Sequence, residues 1–121
     1  MHGQSIETWL TIEQSEDVTI GTFIVRAIMD ERVIRIIGQE LYRLVEQQGQ
    51  DRLVLDFGDV KHFSSALLAV LIELNKKVNA TKGRLALCGL SPELREVFVV
   101  TKLIDRLNIY KNRSEALDSF A

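Results

Sequence analysis

Cysteine is almost absent from this sequence: the single Cys88 has no partner within the chain, which excludes an internal disulfide framework. Histidine is nearly as scarce. His2, His62 and Cys88 share no ligand spacing, so no metal site and no cofactor is expected. Neither sign of charge dominates, with 15 Lys+Arg against 17 Asp+Glu and a net charge of -2, and this balance offers no pull toward phosphate backbones or anionic lipid. Neither nucleic acid nor a membrane is expected as a partner. No apolar stretch approaches the ~20 residues of a membrane span. The opening MHGQSIETW lacks the basic flank and apolar run of a signal peptide, so the chain reads as cytoplasmic.

What is present is the balance of one soluble domain covering 1–121: 46% hydrophobic and 26% charged residues in 121. A chain of this size buries roughly two-thirds of its unfolded surface and needs no covalent staple. Thr8 to Gln14, the polar turn Ser15-Glu16-Asp17 and Val18 to Val25 form a hairpin signature. From Asp30, a natural N-cap, the period changes. Val33, Ile37, Leu41 and Leu44 then make one helical stripe, ending before Gly49. Arg52 to Phe57 is a nearly continuous apolar run, the pattern of a strand buried on both faces.

A second helix opens at Ser64 with an inner stripe of Leu67, Val70, Leu71, Leu74 and Val78, followed by a strand at Leu85 to Leu87. Ser91-Pro92 sets a cap before a proline at the first helical position of a third helix, through Leu94, Val97 and Phe98 to about Thr101. A short strand near Asn108 to Tyr110 and a capped turn from Ser114 close the chain. The order β-β-α-β-α-β-α-β-α predicts an α/β fold: a mixed sheet, an initial hairpin followed by alternating strands and helices, with helices packed against it. Ligands and partners of such sheets gather at the carboxyl ends of the strands, here Arg26 to Asp30, Gly58 to Ser65 and Gly89 to Pro92.

The segment LVLDFGDVKHFSSALLAVLIELNKKV carries the most information, because it runs from a buried strand to a helix mouth holding Ser64 and Ser65. Unpaired backbone N–H groups and the positive end of the helix dipole converge there, so a phosphate on a serine would be locally stabilised. The plainer role for such serines is an N-cap, worth ~1 kcal/mol. Ser65, Ala69, Ile72 and Lys76 fall on one outer stripe, away from Leu67, Leu71 and Leu74, and this small, partly apolar stripe suits a protein docking surface. Lys76, Lys77, Lys82 and Arg84 make the same helix and its exit basic. His62, in the loop before the serines, is able to carry a charge toward a phosphoserine or a partner carboxylate.

These segments, in this order, resemble a STAS domain, the fold of bacterial anti-sigma factor antagonists, over nearly the whole chain. Counted from Asp56, the family's Asp-Ser-Ser-Gly motif falls on Ser64-Ser65-Ala66-Leu67, which puts Ser65 at the phosphorylatable position. Its Gly-x-Leu-Asp turn falls on Ala27-Ile28-Met29-Asp30, so Asp30 matches the family's acidic residue. Leu-Cys-Gly-Leu-Ser-Pro at 87–92, Thr101-Lys102-Leu103 and Ser114-Glu115-Ala116-Leu117 continue the match. Ser64, Ala66, Leu67 and Ala27 depart from the motif. The resemblance implies a non-enzymatic module that binds an anti-sigma factor or serine kinase of the ATP-dependent type, switched by phosphate on Ser65. Asp30, His62, Ser64, Ser65, Ala69, Ile72 and Lys76 are then the partner-facing candidates. A STAS-type module sensing a small molecule or lipid is the alternative, and the oligomeric state stays open.

Asp56, ending the central strand, also invites a receiver-like reading in which an aspartate accepts phosphate with Mg²⁺, but the hairpin acids Glu13, Glu16 and Asp17 sit in a turn with the wrong geometry for that ion. A bond to loop backbone is the simpler expectation for Asp56. Cys88, between an apolar strand and Gly89, reads as a small buried residue.

Overall fold

The computed structural model describes residues 8–121, so His2 lies outside the described residues. Chain order runs β1 (Leu10–Ser15), β2 (Val18–Phe23), β3 (Ala27–Ile28), α1 (Glu31–Glu46), β4 (Arg52–Asp56), β5 (His62–Phe63), α2 (Ser65–Ala80), β6 (Arg84–Cys88), α3 (Pro92–Val100), a 3-10 turn at Leu103–Asp105, β7 (Asn108–Tyr110) and α4 (Arg113–Asp118). The hairpin turns at Glu16 and Asp17, with Leu10 opposite Phe23 and Ser15 opposite Val18. Glu16 supplies the positive φ, 57°, that a two-residue hairpin turn requires. The main sheet has the order β1-β2-β4-β6-β7; β1 is antiparallel to β2, and β2, β4, β6 and β7 run parallel, so the sheet is mixed because of the hairpin.

Alternation along the central strands divides the core in two. Leu53, Leu55, Leu85 and Leu87 join the large core made with Ile34, Ile37 and Leu41 of α1 and Leu67, Leu71, Leu74 and Val78 of α2. Val54, Ala86 and Cys88 point the other way, into a smaller core with Val18, Ile20 and Ala116 of α4. The apolar run at Arg52–Asp56 is thus buried on both faces, and each fully buried leucine contributes about 1.5–3 kcal/mol. Among the described residues no helix is long and apolar enough to cross a membrane.

Three expectations need correction. The buried stripe of α1 is Ile34, Ile37, Gly38, Leu41 and Val45, with Val33 and Leu44 only half-buried. The cause is α2, which approaches at Gly38 so closely that a Cβ there would lie 3.1 Å from Val70 Cγ2. The last helix begins at Arg113 and is capped by Asn112, whose Oδ1 accepts from Glu115 N at 2.9 Å, while Ser114 is exposed inside its first turn. The segments read as loops at Arg26 to Asp30 and Gly58 to Ser65 contain a parallel ladder, β3 on β5, pairing Ala27 with His62 and Ile28 with Phe63.

Candidate functional site

The β3–β5 ladder sets two helix mouths side by side at the carboxyl end of the sheet. Asp30 follows β3 and caps α1, its Oδ1 accepting from Arg32 N at 2.8 Å, and that hydrogen bond holds the exposed carboxyl below the usual aspartate range. Ser64 follows β5 and caps α2, its Oγ accepting from Ala66 N at 3.3 Å. Ser64 N donates to Ile28 O at 3.0 Å, and Lys61 N and His62 N both donate to Arg26 O, at 2.7 and 3.1 Å. Asp30, His62, Ser64 and Ser65 are therefore brought together, with His62 and Ser65 exposed and Ser64 half-buried.

The two serines have different duties. Ser64 has extended backbone (φ -87°, ψ 161°) and performs the capping that a serine at a helix start usually performs. Its replacement of the motif's aspartate exchanges one good N-cap for another. Ser65 is the first helical residue, exposed, and has no part in that cap. Leu67, where the motif has glycine, is fully buried in the main core, so its bulk serves packing.

The outer stripe of α2 holds only in part. Ala69 and Lys76 are exposed, but Ile72 is half-buried and packs against the core. With Asn75, Lys76, Leu103, Arg106 and Leu107 it lines a narrow cleft, and Asn75 Nδ2 donates to Arg106 O at 3.4 Å. The 3-10 turn after α3 covers this flank, which a helical wheel of α2 alone does not reveal. Lys76 lies about 16 Å along the axis from Ser65 at 1.5 Å per residue, well away from the mouth. The basic face is also partly consumed: Lys77 Nζ sits 2.8 Å from Glu46 Oε2, and the Arg84 guanidinium bonds the Tyr110 hydroxyl and stacks on Phe120.

Beneath the mouth runs a row of phenylalanine rings, Phe23 to Phe57 at 4.8 Å, Phe57 to Phe63 at 6.2 Å and Phe63 to Phe98 at 6.0 Å. Pairs at these spacings contribute about 0.5–1.5 kcal/mol each beyond area burial. Asp56 bonds the loop as expected, its Oδ1 accepting from Gly58 N at 2.9 Å. Its other oxygen meets Arg113, with Nε and Nη2 each at 3.1 Å from Oδ2. Arg113 also donates to Thr22 Oγ1 at 2.5 Å and approaches Glu13 Oε2 to 3.6 Å.

The sequence reading missed Arg113. With Ser114 as the cap no signal is available; only the helix start at Arg113 puts this cation in a first turn, where it opposes the helix dipole and needs an acid from elsewhere. The same group bears on the receiver-like reading, since the Arg113 guanidinium contacts both Asp56 and Glu13 and so puts a cation of the chain's own against these acids. Among the described residues no three His, Cys, Asp or Glu side chains are placed to share a metal ion. Cys88 is fully buried, and burial together with the nearby Asp56 charge pushes its thiol up to about 12.

Comparison with known proteins agrees with this fold. The family model for the STAS domain matches residues 10–116. BtrV of Bordetella bronchiseptica (strain ATCC BAA-588 / NCTC 13252 / RB50), which carries the name of an anti-sigma factor antagonist, is 34% identical over 73 residues, 60% of this chain. That match spans 63% of BtrV's length, less than two thirds of it. Among solved structures, a Thermotoga maritima protein described as an anti-sigma factor antagonist superposes with a TM-score of 0.82 at 19% identity, over 94% of this chain and 95% of its own. The anti-sigma factor antagonist SpoIIAA of Bacillus superposes in its unphosphorylated form with a TM-score of 0.72 at 16% identity, over 92% and 96% of the two chains. Its phosphorylated form gives 0.71 at 17% identity, over 93% and 99%.

Proposed function

The chain belongs to the STAS domain family, and on that premise we propose that it is an anti-sigma factor antagonist: a non-enzymatic, single-domain cytoplasmic regulator. It binds an anti-sigma factor or an ATP-dependent serine kinase through the surface around the α2 mouth, and phosphate on Ser65 releases the partner. The observation that carries this reading is the division of labour between the serines. Ser64 holds the cap, so Ser65, exposed at the first helical position, can be modified without unmaking the helix. A phosphoserine there adds about −1.5 to −2 charges beside the positive end of the α2 dipole, so the helix tolerates it. A partner surface packed over it does not, because the dianion must be desolvated against whatever it meets. The name of BtrV and the two forms in which SpoIIAA is known support the same role.

The test is capture of the partner from native lysate on the full chain, followed by calorimetry with Ser65→Ala and Ser65→Asp. The expected result is a captured anti-sigma factor or kinase that Ser65→Ala binds like the parent and Ser65→Asp binds at least tenfold more weakly, ~1.4 kcal/mol. Equal affinities would remove Ser65 from the interface. A small molecule retained by the purified chain, with no protein captured, would point instead to the sensing alternative.

A further inference from the structure

We propose that Arg113 is a positioning residue for the α2 mouth, acting through Asp56 from the opposite face of the sheet; the importance of that mouth rests on the functional reading above. Arg113 opens α4, which packs with Val54, Ala86 and Cys88, whereas α2 packs on the Leu53 and Leu55 side. Asp56 stands in register between Thr22 and Cys88 at the ends of their strands. Its carboxylate is a two-way clamp: Oδ2 holds the guanidinium and Oδ1 holds Gly58 N, the start of the loop that delivers His62, Ser64 and Ser65. The far end of that loop is fixed by the bonds of Lys61 and His62 to Arg26 O and of Ser64 to Ile28 O. At the near end Phe57 N donates to Cys88 O at 2.9 Å, Val60 N donates to Phe57 O at 3.0 Å, and both side chains are buried, so the Asp56 carboxylate sets the one remaining tie there, the bond from Gly58 N.

Arginine suits this task where lysine does not. One planar fork spans Asp56, Thr22 and Glu13 at once, and so ties β4, β2 and β1 to the start of α4. Its place in α4 is locally unfavourable, since the first turn presents unpaired N–H groups and positive potential. Freed from Arg113, Asp56 would turn toward solvent, and the Gly58 bond would lose its fixed acceptor.

Amide hydrogen exchange on the full chain tests this directly, comparing the parent with Arg113→Ala, Arg113→Lys and Asn112→Ala. The last variant removes the cap of the same helix, the bond from Glu115 N to Asn112 Oδ1 at 2.9 Å, without touching Asp56. The expected result is exchange at the start of the loop, Gly58 and Asp59, roughly tenfold faster in Arg113→Ala, the scale of one lost charge-assisted hydrogen bond. Arg113→Lys should fall between, and Asn112→Ala should leave that loop at the parental rate. An unchanged loop in Arg113→Ala, or one loosened equally by Asn112→Ala, would overturn the proposal. A loop that loosens as expected while Ser65→Ala and Ser65→Asp bind a partner alike leaves Arg113 in its role and removes only the docking reading.

Discussion

Gly89→Ala should be among the costliest single-methyl additions to this protein, and Gly49→Ala provides its control. Both glycines have left-handed backbone, φ +76° at Gly89 and +67° at Gly49, so a side chain at either costs about 1–2 kcal/mol through the backbone alone. Their surroundings differ. An added Cβ at Gly49 meets nothing within 4 Å, whereas at Gly89 it lies 2.8 Å from Asp56 Oδ1 and 2.9 Å from Gly58 N. Those two atoms are hydrogen-bonded to each other, so the methyl must push apart a charge-assisted bond worth about 1.5–3 kcal/mol. Gly89→Ala should therefore lose about 2.5–5 kcal/mol against about 1–2 for Gly49→Ala. A domain of this length has roughly 6–18 kcal/mol of stability, so the variant should remain largely folded and measurable. Urea unfolding at 25 °C with equal slopes gives both numbers. In an Asp56→Ala background the excess at Gly89 should shrink without reaching the Gly49 value, because the methyl still meets Gly58 N at 2.9 Å and Gly58 Cα at 3.2 Å. Losses within about 0.5 kcal/mol of one another would refute the reasoning, because the Asp56 clamp would then yield to a methyl group at no cost.

Ser64→Ala should cost about 0.5–2 kcal/mol as a lost cap, while Ser65→Ala stays within about 0.5 kcal/mol, and thermal melts that fail to separate the two would undo the division of labour at the mouth. Ile72→Glu should destabilise by roughly 2–4 kcal/mol, since it drives a carboxylate against Leu103 and Leu107, whereas Ala69→Glu on the exposed part of the stripe should be nearly neutral; equal melts would restore the fully outward stripe. Cys88 should ignore a thiol reagent at pH 8 in the native state and react once unfolded. Its native value of about 12 lies above the usual 9.0 because burial disfavours the thiolate, so the stabilisation is complete below pH 9 and lost as pH rises from 9 through 12. Rapid native labelling would contradict the burial.

Most of the fold was legible because its elements are long enough to show a period. The hairpin and the inner stripe of α2 each repeat their pattern several times, β4 shows as an unbroken apolar run, α1 was legible as a helix though its buried stripe was shifted, and the caps Asp30, Ser64 and Ser91 stand where helix starts demand them. What escaped was short or shared between elements. A two-residue strand such as β3 or β5 has no period, and its pairing depends on a partner far along the chain. Asn112 and Ser114 are both acceptable caps, and the choice between them falls to the packing of Ala116 against the sheet. Ile72 was placed outward because a wheel describes one helix, while the cover over Ile72 comes from Leu103 and Leu107, beyond α3.

The candidate site divides along the same line. Ser64 and Ser65 were legible because capping is local chemistry, written in residue type and position. The clamp behind them was not, because Thr22, Asp56, Gly89 and Arg113 come from four separate segments that only the sheet register brings together. With the helix start moved from Ser114 to Arg113, that residue breaks a local rule. A cation in the first turn of α4 is repelled by its own helix, so the residue must be held by acids beyond that helix. Asp56 and Glu13 are those acids, and Asp56 is the one whose second oxygen continues to Gly58 and the loop of the two serines. A locally unfavourable charge thus marks the position from which the far face of the sheet reaches the mouth.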